Sequence, residues 1–276
     1  ASDLTSVSGK TRGNIAATGA TTVTGSATQV AALIADEADS GDGVNLAANV
    51  KATITGEAAA ADLNNINDGT TGLVTATGVT KITGTAAAIN TLMGEEGDSG
   101  NKVNLDTDFT VTVSAGSAAA AHLNTINGKT TNLVTAIAVT AITGTVSAVK
   151  TVIDAEGDSG DKINLDGDFT VTLDTVESAA VTDLSAINAK TSGNITATNI
   201  TALTGTASAI NTFITTEQSD AGNGVNLDTD FTATVSDTDT TATDLSTLNG
   251  NMTGFIYSFY SIGTVVSTKD VLREFA

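Results

Sequence analysis

The stretch at 97–113, GDSGNKVNLDTDFTVTV, recurs almost unchanged at 157–173, GDSGDKINLDGDFTVTL, and at 219–235, SDAGNGVNLDTDFTATV. A weaker copy lies at 39–55, DSGDGVNLAANVKATIT. In each copy a loop rich in Gly and Asp precedes alternating residues, and this alternation predicts a β-strand over 103–113. One face of that strand carries Val103, Leu105, Thr107, Phe109, Val111 and Val113. A loop-and-strand unit that occurs four times in the sequence indicates a repeated structural element rather than four separate sites.

Two further phrases each predict a short helix. AADLNNIN at 60–67 recurs at 1–8, 120–127, 181–188 and 242–249, and ITGTAAAINTL at 82–92 recurs at 23–33, 142–152, 203–213 and, in diverged form, at 265–275. A Thr or Ser followed by Ala-rich sequence is typical of a helix that begins with a capping residue. One aliphatic position marks all ten copies: Leu4, Val30, Leu63, Ile89, Leu123, Val149, Leu184, Ile210, Leu245 and Leu272.

These spacings predict a repeat solenoid with parallel strands. Strands that alternate with short helices must run parallel and be joined by right-handed crossovers. We therefore expect a parallel β-solenoid with short Ala-rich helices, in which each repeat of about 60 residues contains two coils of about 26 and 34 residues. The predicted repeats are 1–59, 60–119, 120–180 and 181–241, followed by a diverged half-repeat at 242–276.

Composition and charge narrow the possible partners. The chain of 276 residues has a net charge of −20 with only 11 Lys and Arg, which argues against a nucleic-acid partner because phosphate binding needs basic clusters. No apolar run approaches the roughly 18 residues of a spanning helix, so we expect no membrane insertion. Cys is absent and aromatic residues make up 3%, which suits thin cores built from aliphatic side chains.

The phrases LNNINDGTTGLVTATGVTKITGTAAAINTL (63–92) and LNTINGKTTNLVTAIAVTAITGTVSAV (123–149) resemble the Thr/Ala-rich tandem repeats of large surface proteins of marine cyanobacteria. They are also similar to repeats in tail-fibre-like proteins of the phages of these bacteria. The resemblance covers residues 1–250 well and 251–276 poorly. It implies a structural role outside the cell, on the cell surface or in a virion, and no catalysed reaction.

The acidic loops and the residues that follow them are the candidate metal site. Each copy gathers carboxylates near a turn, and Ca²⁺ prefers six to eight oxygen ligands. Yet neither an EF-hand loop nor a nonapeptide Ca²⁺ repeat is present. The alternative to a metal site is that these carboxylates form a solvated outer strand face that prevents sheet stacking. Bound Ca²⁺ is therefore treated as optional, with these candidate ligands: Asp98, Asp106, Asp108, Asp158, Asp161, Asp166, Asp168, Asp220, Asp228 and Asp230.

Catalytic chemistry finds little support in the sequence. The single histidine, His122, stands where the other copies have Asp, so it is interpreted as a drifted surface position. The Gly-rich loop at 39–43 lacks the Lys and the context of a phosphate-binding loop. We expect a protein that is not an enzyme and needs no cofactor. Three matches to the N-glycosylation pattern, at Asn194, Asn199 and Asn251, are interpreted as chance in a Thr-rich chain.

The repeat pattern changes at GFIYSFYSI (254–262). Five of the nine aromatic residues lie in the last 22 positions: Phe255, Tyr257, Phe259, Tyr260 and Phe275. One interpretation is a terminal cap that seals the solenoid core. The other is an interface, because aromatic side chains are enriched in interface cores and caps usually turn polar residues outward. Ala1 also lies inside a coil, and such a start together with an aromatic end suits contact between the end of one copy and the start of the next. Repeated contacts of this kind would give a filament.

The sequence therefore predicts a non-enzymatic extracellular structural protein, a filament or fibre subunit whose partners are copies of itself. An alternative is the spine of an adhesin or phage tail fibre that binds a receptor on a host or cell surface. A Ca²⁺-dependent surface-layer protein or an ice-binding solenoid is a more distant alternative. An ice-binding face would need an unbroken Thr row through every coil, and here long and short coils alternate and Asp interrupts.

Overall fold

The structure, a computed structural model, describes residues 1–37, 43–218, 224–228, 230–254, 256–258 and 264–266. It is an α/β fold with mostly parallel strands in several sheets, and no sheet of the described residues closes into a barrel. The described residues contain nine helices: Ser2–Ser8 (α1), Ala27–Glu37 (α2), Ala60–Asp68 (α3), Ala86–Gly94 (α4), Ala120–Asn127 (α5), Val146–Asp154 (α6), Val181–Asn188 (α7), Ala207–Thr216 (α8) and Ala242–Gly250 (α9).

The strands are short and lie between these helices. The first ten are Ile15–Ala16 (β1), Thr22–Gly25 (β2), Val44–Asn45 (β3), Lys51–Ala59 (β4), Val74–Gly84 (β5), Val103–Leu105 (β6), Thr110–Val113 (β7), Gly116–Ala119 (β8), Val134–Ala136 (β9) and Val139–Gly144 (β10). The others are Ile163–Leu165 (β11), Thr170–Leu173 (β12), Glu177–Ala180 (β13), Ile195–Ala197 (β14), Ile200–Gly205 (β15), Val225–Leu227 (β16), Thr232–Val235 (β17), Asp239–Thr241 (β18), Ile256–Ser258 (β19) and Thr264–Val266 (β20).

The chain divides into two compact units. The first comprises residues 1–118, 122–138 and 155–165, where one sheet has the order β11-β9-β7-β5-β4-β2 with β6 also on β5, and β1 pairs with β3. The second comprises residues 119–121, 139–154 and 166–276. In it, β10, β12, β14 and β16 lie side by side, as do β13, β15, β17 and β19, while β18 pairs with β20. The strand pairs within each unit are parallel, as predicted.

The parallel strands stack equivalent residues of successive repeats into buried columns. In the first unit, one column joins Ile82, Val111, Val134 and Ile163. In the second unit, the same positions, shifted by about one repeat, form the column Ile142, Val171, Ile195 and Val225. All eight side chains are at most 1% exposed. The repeat in the sequence is therefore also a repeat in strand register.

The helices begin where the phrases predict. Thr85 Oγ1 accepts a hydrogen bond from Ala88 N, and Thr206 Oγ1 accepts one from Ala209 N, so the Thr of the GT phrase caps the first turn. Their partner helices α3 and α7 begin after Ala59 and Ala180 without a side-chain cap. Small residues let helix and strand approach closely, because a Cβ built on Gly84 would lie 3.4 Å from Ala60 Cβ. This close layer forms a core with few aromatic side chains.

The few aromatic residues of the repeats lie where the sequence predicts. Phe109, Phe169 and Phe231 are each 1% exposed at equivalent positions, which confirms their inward orientation. A buried Thr holds each of the first two phenylalanines in place, since Thr130 Oγ1 donates to the Phe109 carbonyl oxygen and Thr191 Oγ1 donates to that of Phe169. Thr191 Oγ1 also accepts from Gly193 N at 3.0 Å. These threonines are structural and were not singled out from the sequence.

The prediction of one continuous strand over 103–113 is wrong. β6 ends at Leu105 and β7 begins at Thr110, and a turn separates them in which Asp106 Oδ1 accepts from Thr107 N at 2.8 Å. Both strands still pair with β5, at two separate places along its length. Asp106 and Asp108 therefore lie in a turn and not on the outer face of a strand. The side chain of Asp106 bonds to the adjacent backbone, an interaction that favours turns over strands.

Candidate functional site

The acidic loops fold back onto the strands that follow them. Val103 N donates to Glu95 O at 3.0 Å and Gly97 N donates to Val103 O at 3.1 Å, so the loop before β6 covers one edge of that strand. The same bridge joins Glu156 to Ile163 before β11 and Gln218 to Val225 before β16. An unpaired strand edge is a template for association with another chain. We conclude that these loops protect three strand edges with a short segment rich in acidic residues.

The aspartates singled out from the sequence lie at the surface. Asp220 is outside the described residues. The other nine candidates are exposed: Asp98, Asp106, Asp108, Asp158, Asp161, Asp166, Asp168, Asp228 and Asp230. Asp166 repeats the local bond of Asp106, because its Oδ1 accepts from Gly167 N at 2.8 Å. Within the described ranges, no three His, Asp or Glu side chains come together as a metal-binding group. Calcium binding therefore stays a prediction.

Carboxylates in the last turn of α2, or just after α4 and α8, contact residues of the neighbouring helix or residues just after it. Ser8 Oγ donates to Asp36 Oδ2 at 2.8 Å, and Ser185 Oγ donates to Glu217 Oε1 at 2.6 Å. Lys129 Nζ lies 3.2 Å from Glu96 Oε2, with both side chains about one-third exposed. Pairs of this exposure contribute at most about 1 kcal/mol. These contacts link neighbouring helices, or the residues just after them, to one another.

Threonines form ladders across neighbouring strands. In the first unit, Thr83, Thr112 and Thr135 lie side by side and Asn164 ends the row. In the second unit, Thr143, Thr172 and Thr196 are followed by Asn226 in the same way. All eight side chains are half-buried. Each of these rows spans three strands before an Asn replaces Thr, whereas an ice-binding face was expected to need an unbroken row.

The single histidine and the Asn residues of the three glycosylation motifs differ in how exposed their side chains are. His122 is half-buried on α5. Asn199 Nδ2 donates to Leu173 O at 3.2 Å, whereas Asn194 Oδ1 is buried without a hydrogen-bond partner. Asn251 is exposed and follows α9. Of the three glycosylation motifs, only the one at Asn251 therefore has its acceptor side chain exposed.

The C-terminal strands continue the register of the repeats. β19 pairs with β17 so that Ile256 is level with Ala233 and Tyr257 with Thr234. Tyr257 thus stands where Thr196 stands in the previous repeat, at the third position of a Thr ladder. Val265 of β20 is level with Thr240, just as Ile82 is level with Ala58. The remaining proposed interface residues, Phe255, Phe259, Tyr260 and Phe275, lie outside the described residues.

The N-terminal helix exposes residues that are buried in every other copy. Val7 is 54% exposed, and Leu4 is partly exposed. The equivalents of Val7 are 0% exposed in the other four helices of this type: Ile66, Ile126, Ile187 and Leu248. α3 packs between α2 and α4, whereas α1 packs on α2 and β3. Sequence reasoning missed this face, although the alignment of Val7 with Ile66 places an apolar residue on the first helix of the stack.

A shallow groove lies beside this exposed face. Its volume is about 330 Å³, and it lies between α1 and α2, with Ser2, Thr5 and Ser6 on one side and Thr28, Gln29 and Ala32 on the other. The groove contains no carboxylate, imidazole or amine that could carry acid–base chemistry.

Comparisons of this chain with protein-family models, with curated proteins and with solved structures find no match. Among the described residues, no helix has both the length and the apolar character that crossing a membrane requires. The fold is thus an α/β repeat with protected strand edges along the chain and an exposed apolar face at α1.

Proposed function

We propose that this protein is a non-enzymatic, extracellular structural subunit whose copies join end to end into a filament. In this proposal the chain forms a parallel β-solenoid with two coils per repeat, a longer and a shorter one. Copies of the chain itself are the partners, and the two ends of the solenoid are the contact surfaces. The resemblance to repeat proteins of cyanobacterial surfaces and phage fibres agrees with a location on a cell surface or in a virion.

The observation that carries the proposal is the contrast between protected and open strand edges. Acidic loops cover the edges of β6, β11 and β16. At the first strands of the chain, β2 is the last strand of its sheet and no acidic loop bridges to it within the described residues. Proteins normally cover or charge the edges of their sheets to avoid association. An uncovered strand edge such as that of β2 favours association with another chain, whereas the covered edges of β6, β11 and β16 oppose it.

The charge of the chain fits the same proposal. Copies that each carry −20 repel one another, so lateral bundling, which brings many like charges together, is unfavourable. End-to-end contact, as proposed, brings fewer like charges together. A filament that grows lengthwise and stays thin is the arrangement that these charges favour.

Replacing Tyr257 and Phe259 together with Ser tests the proposal. Burial of aromatic rings contributes about 25 cal/mol per Å², so the loss of two rings at a repeated contact should prevent growth. We expect wild-type protein to show a mass that rises with concentration in light scattering. The double variant should stay monomeric with an unchanged circular dichroism spectrum. A monomeric wild type, or a double variant that polymerises as the wild type does, would contradict the proposal.

A further inference from the structure

We propose that the loop at 155–162 is a strap that opens more readily than its counterpart at 95–102, so that the outer edge of β11 becomes accessible in solution while that of β6 stays covered. We call residues 95–102 the β6 strap and residues 155–162 the β11 strap. Both straps belong to the first compact unit, and the inference does not depend on the proposed assembly.

The two straps have the same backbone geometry. Val103 N donates to Glu95 O and Ile163 N donates to Ala155 O, both at 3.0 Å. A second bond of 3.1 Å closes each strap, because the glycine two residues after the first acceptor donates to the carbonyl oxygen of the same Val or Ile. The glycine two residues before the end of each strap has a positive φ, 72° in the β6 strap and 68° in the β11 strap. A difference in how firmly the straps are held therefore comes from their side chains.

The surroundings of the two straps are equivalent as well. Val74 N donates to Lys102 O and Val134 N donates to Lys162 O, both at 2.9 Å, so each strap enters its strand in the same register. The helices beside the straps, α3 and α5, are copies of one phrase, AADLNNIN and AAHLNTIN. Position 161 of the β11 strap therefore lies against the end of α5 as position 101 of the β6 strap lies against the end of α3.

The β6 strap is tied to the end of α3 by Asn101. The side-chain nitrogen of Asn101 donates to Thr70 O at 2.7 Å and to Asn67 O at 3.2 Å. Asn67 belongs to the last turn of α3, where carbonyl oxygens lack partners inside the helix. Asn67 and Thr70 are each 4% exposed. Two hydrogen bonds to nearly buried residues thus hold the outer part of the β6 strap against the protein.

The β11 strap has Asp161 at the position of Asn101. An ionised carboxylate only accepts hydrogen bonds, whereas an amide nitrogen donates them. The equivalent neighbours of Asp161 are the carbonyl oxygens of Asn127 and Thr130, which are acceptors as well. The two bonds of Asn101 therefore have no counterpart in the β11 strap, and the exposed carboxylate of Asp161 is repelled from the end of α5.

An ion pair gives the β6 strap a second tie that the β11 strap cannot form. Lys102 Nζ lies 3.0 Å from Glu95 Oε2, so the pair joins the two ends of the β6 strap. The β11 strap has Lys162 in place of Lys102 but Ala155 in place of Glu95. The two paired side chains are 40% and 42% exposed, so the pair contributes little, and the amide bonds of Asn101 are the larger difference.

The β11 strap is therefore the weaker of the two covers. Its opening breaks the bonds from Ile163 N to Ala155 O and from Gly157 N to Ile163 O. β11 is the last strand of its sheet, so the freed groups of Ile163 lie on an outer edge. An unpaired strand edge is a template for pairing with another chain. The β11 edge is thus protected only while its strap is closed.

Hydrogen exchange of the full-length chain, followed by NMR under conditions where it is monomeric, measures the opening of each strap. The amides of Val103 and Ile163 are a matched pair, because each follows a Lys and each donates to a carbonyl oxygen at 3.0 Å. The loss of two hydrogen bonds shifts an opening equilibrium by about tenfold or more. We expect the protection factor of Ile163 to be lower than that of Val103 by about this factor. Equal protection of the two amides would overturn the inference.

Exchanging the two residues tests the cause of the difference. Asp161→Asn supplies the missing donor and should raise the protection factor of Ile163 about tenfold, whereas Asn101→Asp should lower that of Val103 by a similar factor. Asp158→Asn is the matched control, because it removes the same charge from another exposed position of the β11 strap and should leave Ile163 unchanged. If Asp161→Asn has no effect, or if Asp158→Asn raises the protection factor equally, the missing hydrogen bonds do not govern the opening and the inference is wrong.

Discussion

Val7 and Ile66 occupy the same position of two equivalent helices, yet Val7 is 54% exposed and Ile66 is 0% exposed. The difference follows from their neighbours, because α3 packs between two helices and α1 packs on one. The same aliphatic position is thus buried in α3 and exposed in α1.

The different exposure of Ile66 and Val7 predicts that truncation to Ala lowers stability strongly at Ile66 and hardly at Val7. Ile66→Ala removes buried methyl groups and should lower the free energy of unfolding by about 2–5 kcal/mol. Val7→Ala removes exposed ones and should change it by less than about 0.5 kcal/mol. Urea unfolding of the monomeric protein measures both values. Equal losses in the two variants would mean that Val7 is covered in solution even without assembly.

Thr191 should contribute more to stability than most polar residues of the chain. Its hydroxyl bonds both the Phe169 carbonyl oxygen and Gly193 N in a buried site. Thr191→Val leaves both groups unpaired and should cost about 1–3 kcal/mol. The matched control is Thr170→Val, whose exposed hydroxyl donates to Thr140 O at 3.3 Å. If thermal and urea unfolding show the same small loss for both variants, the buried hydrogen bonds do not hold the Phe169 segment.

Replacing the aspartates of the turn after β11, Asp166 and Asp168, should hardly change stability. Asp166 and Asp168 are exposed, and the side chain of Asp166 accepts a hydrogen bond from the adjacent backbone N–H of Gly167. Replacing both with Asn should change the free energy of unfolding by less than about 0.5 kcal/mol. Calorimetric titration of EDTA-treated wild type should show no stoichiometric heat of Ca²⁺ binding. A saturable heat that the double variant lacks would instead place a metal at these turns.

Assembly should respond to ionic strength. The charge of −20 opposes contact between copies, and the screening length falls to about 10 Å at 0.1 M salt. Adding NaCl should therefore lower the concentration at which light scattering rises. MgCl₂ at equal ionic strength should have a similar effect if screening is the cause. Assembly that weakens steadily with salt would show that attraction between charged groups at the contact outweighs the repulsion.

The repeat phrases predict the helices and the buried columns because local sequence determines them. AADLNNIN and its copies correspond to α3, α5, α7 and α9, and the GT phrase supplies the Thr cap of α4 and α8. The break between β6 and β7 could not be predicted from alternation, since Leu105, which ends β6, and Phe109, which directly precedes β7, are both buried. Gly78 lies within β5 where the register to β4 shifts.

The protected edges and the exposure of Val7 were not predicted because they depend on tertiary neighbours. The bridge from Glu96 to Val103 joins residues whose pairing no propensity indicates. Val7 is apolar in a copy of a helix whose other members are buried, so its exposure depends on tertiary neighbours and not on its own sequence. The role of the aromatic residues near the C-terminus as an interface stays a prediction.

Electron cryomicroscopy of the wild-type protein above its assembly concentration tests the central claim most directly. Strands that lie across the axis of an end-to-end solenoid filament must give a meridional layer line at about 4.8 Å. We predict thin unbranched filaments with this layer line, absent when Tyr257 and Phe259 are both replaced with Ser. Discrete particles whose length does not change with concentration, or filaments whose strands run along the axis, would contradict the account.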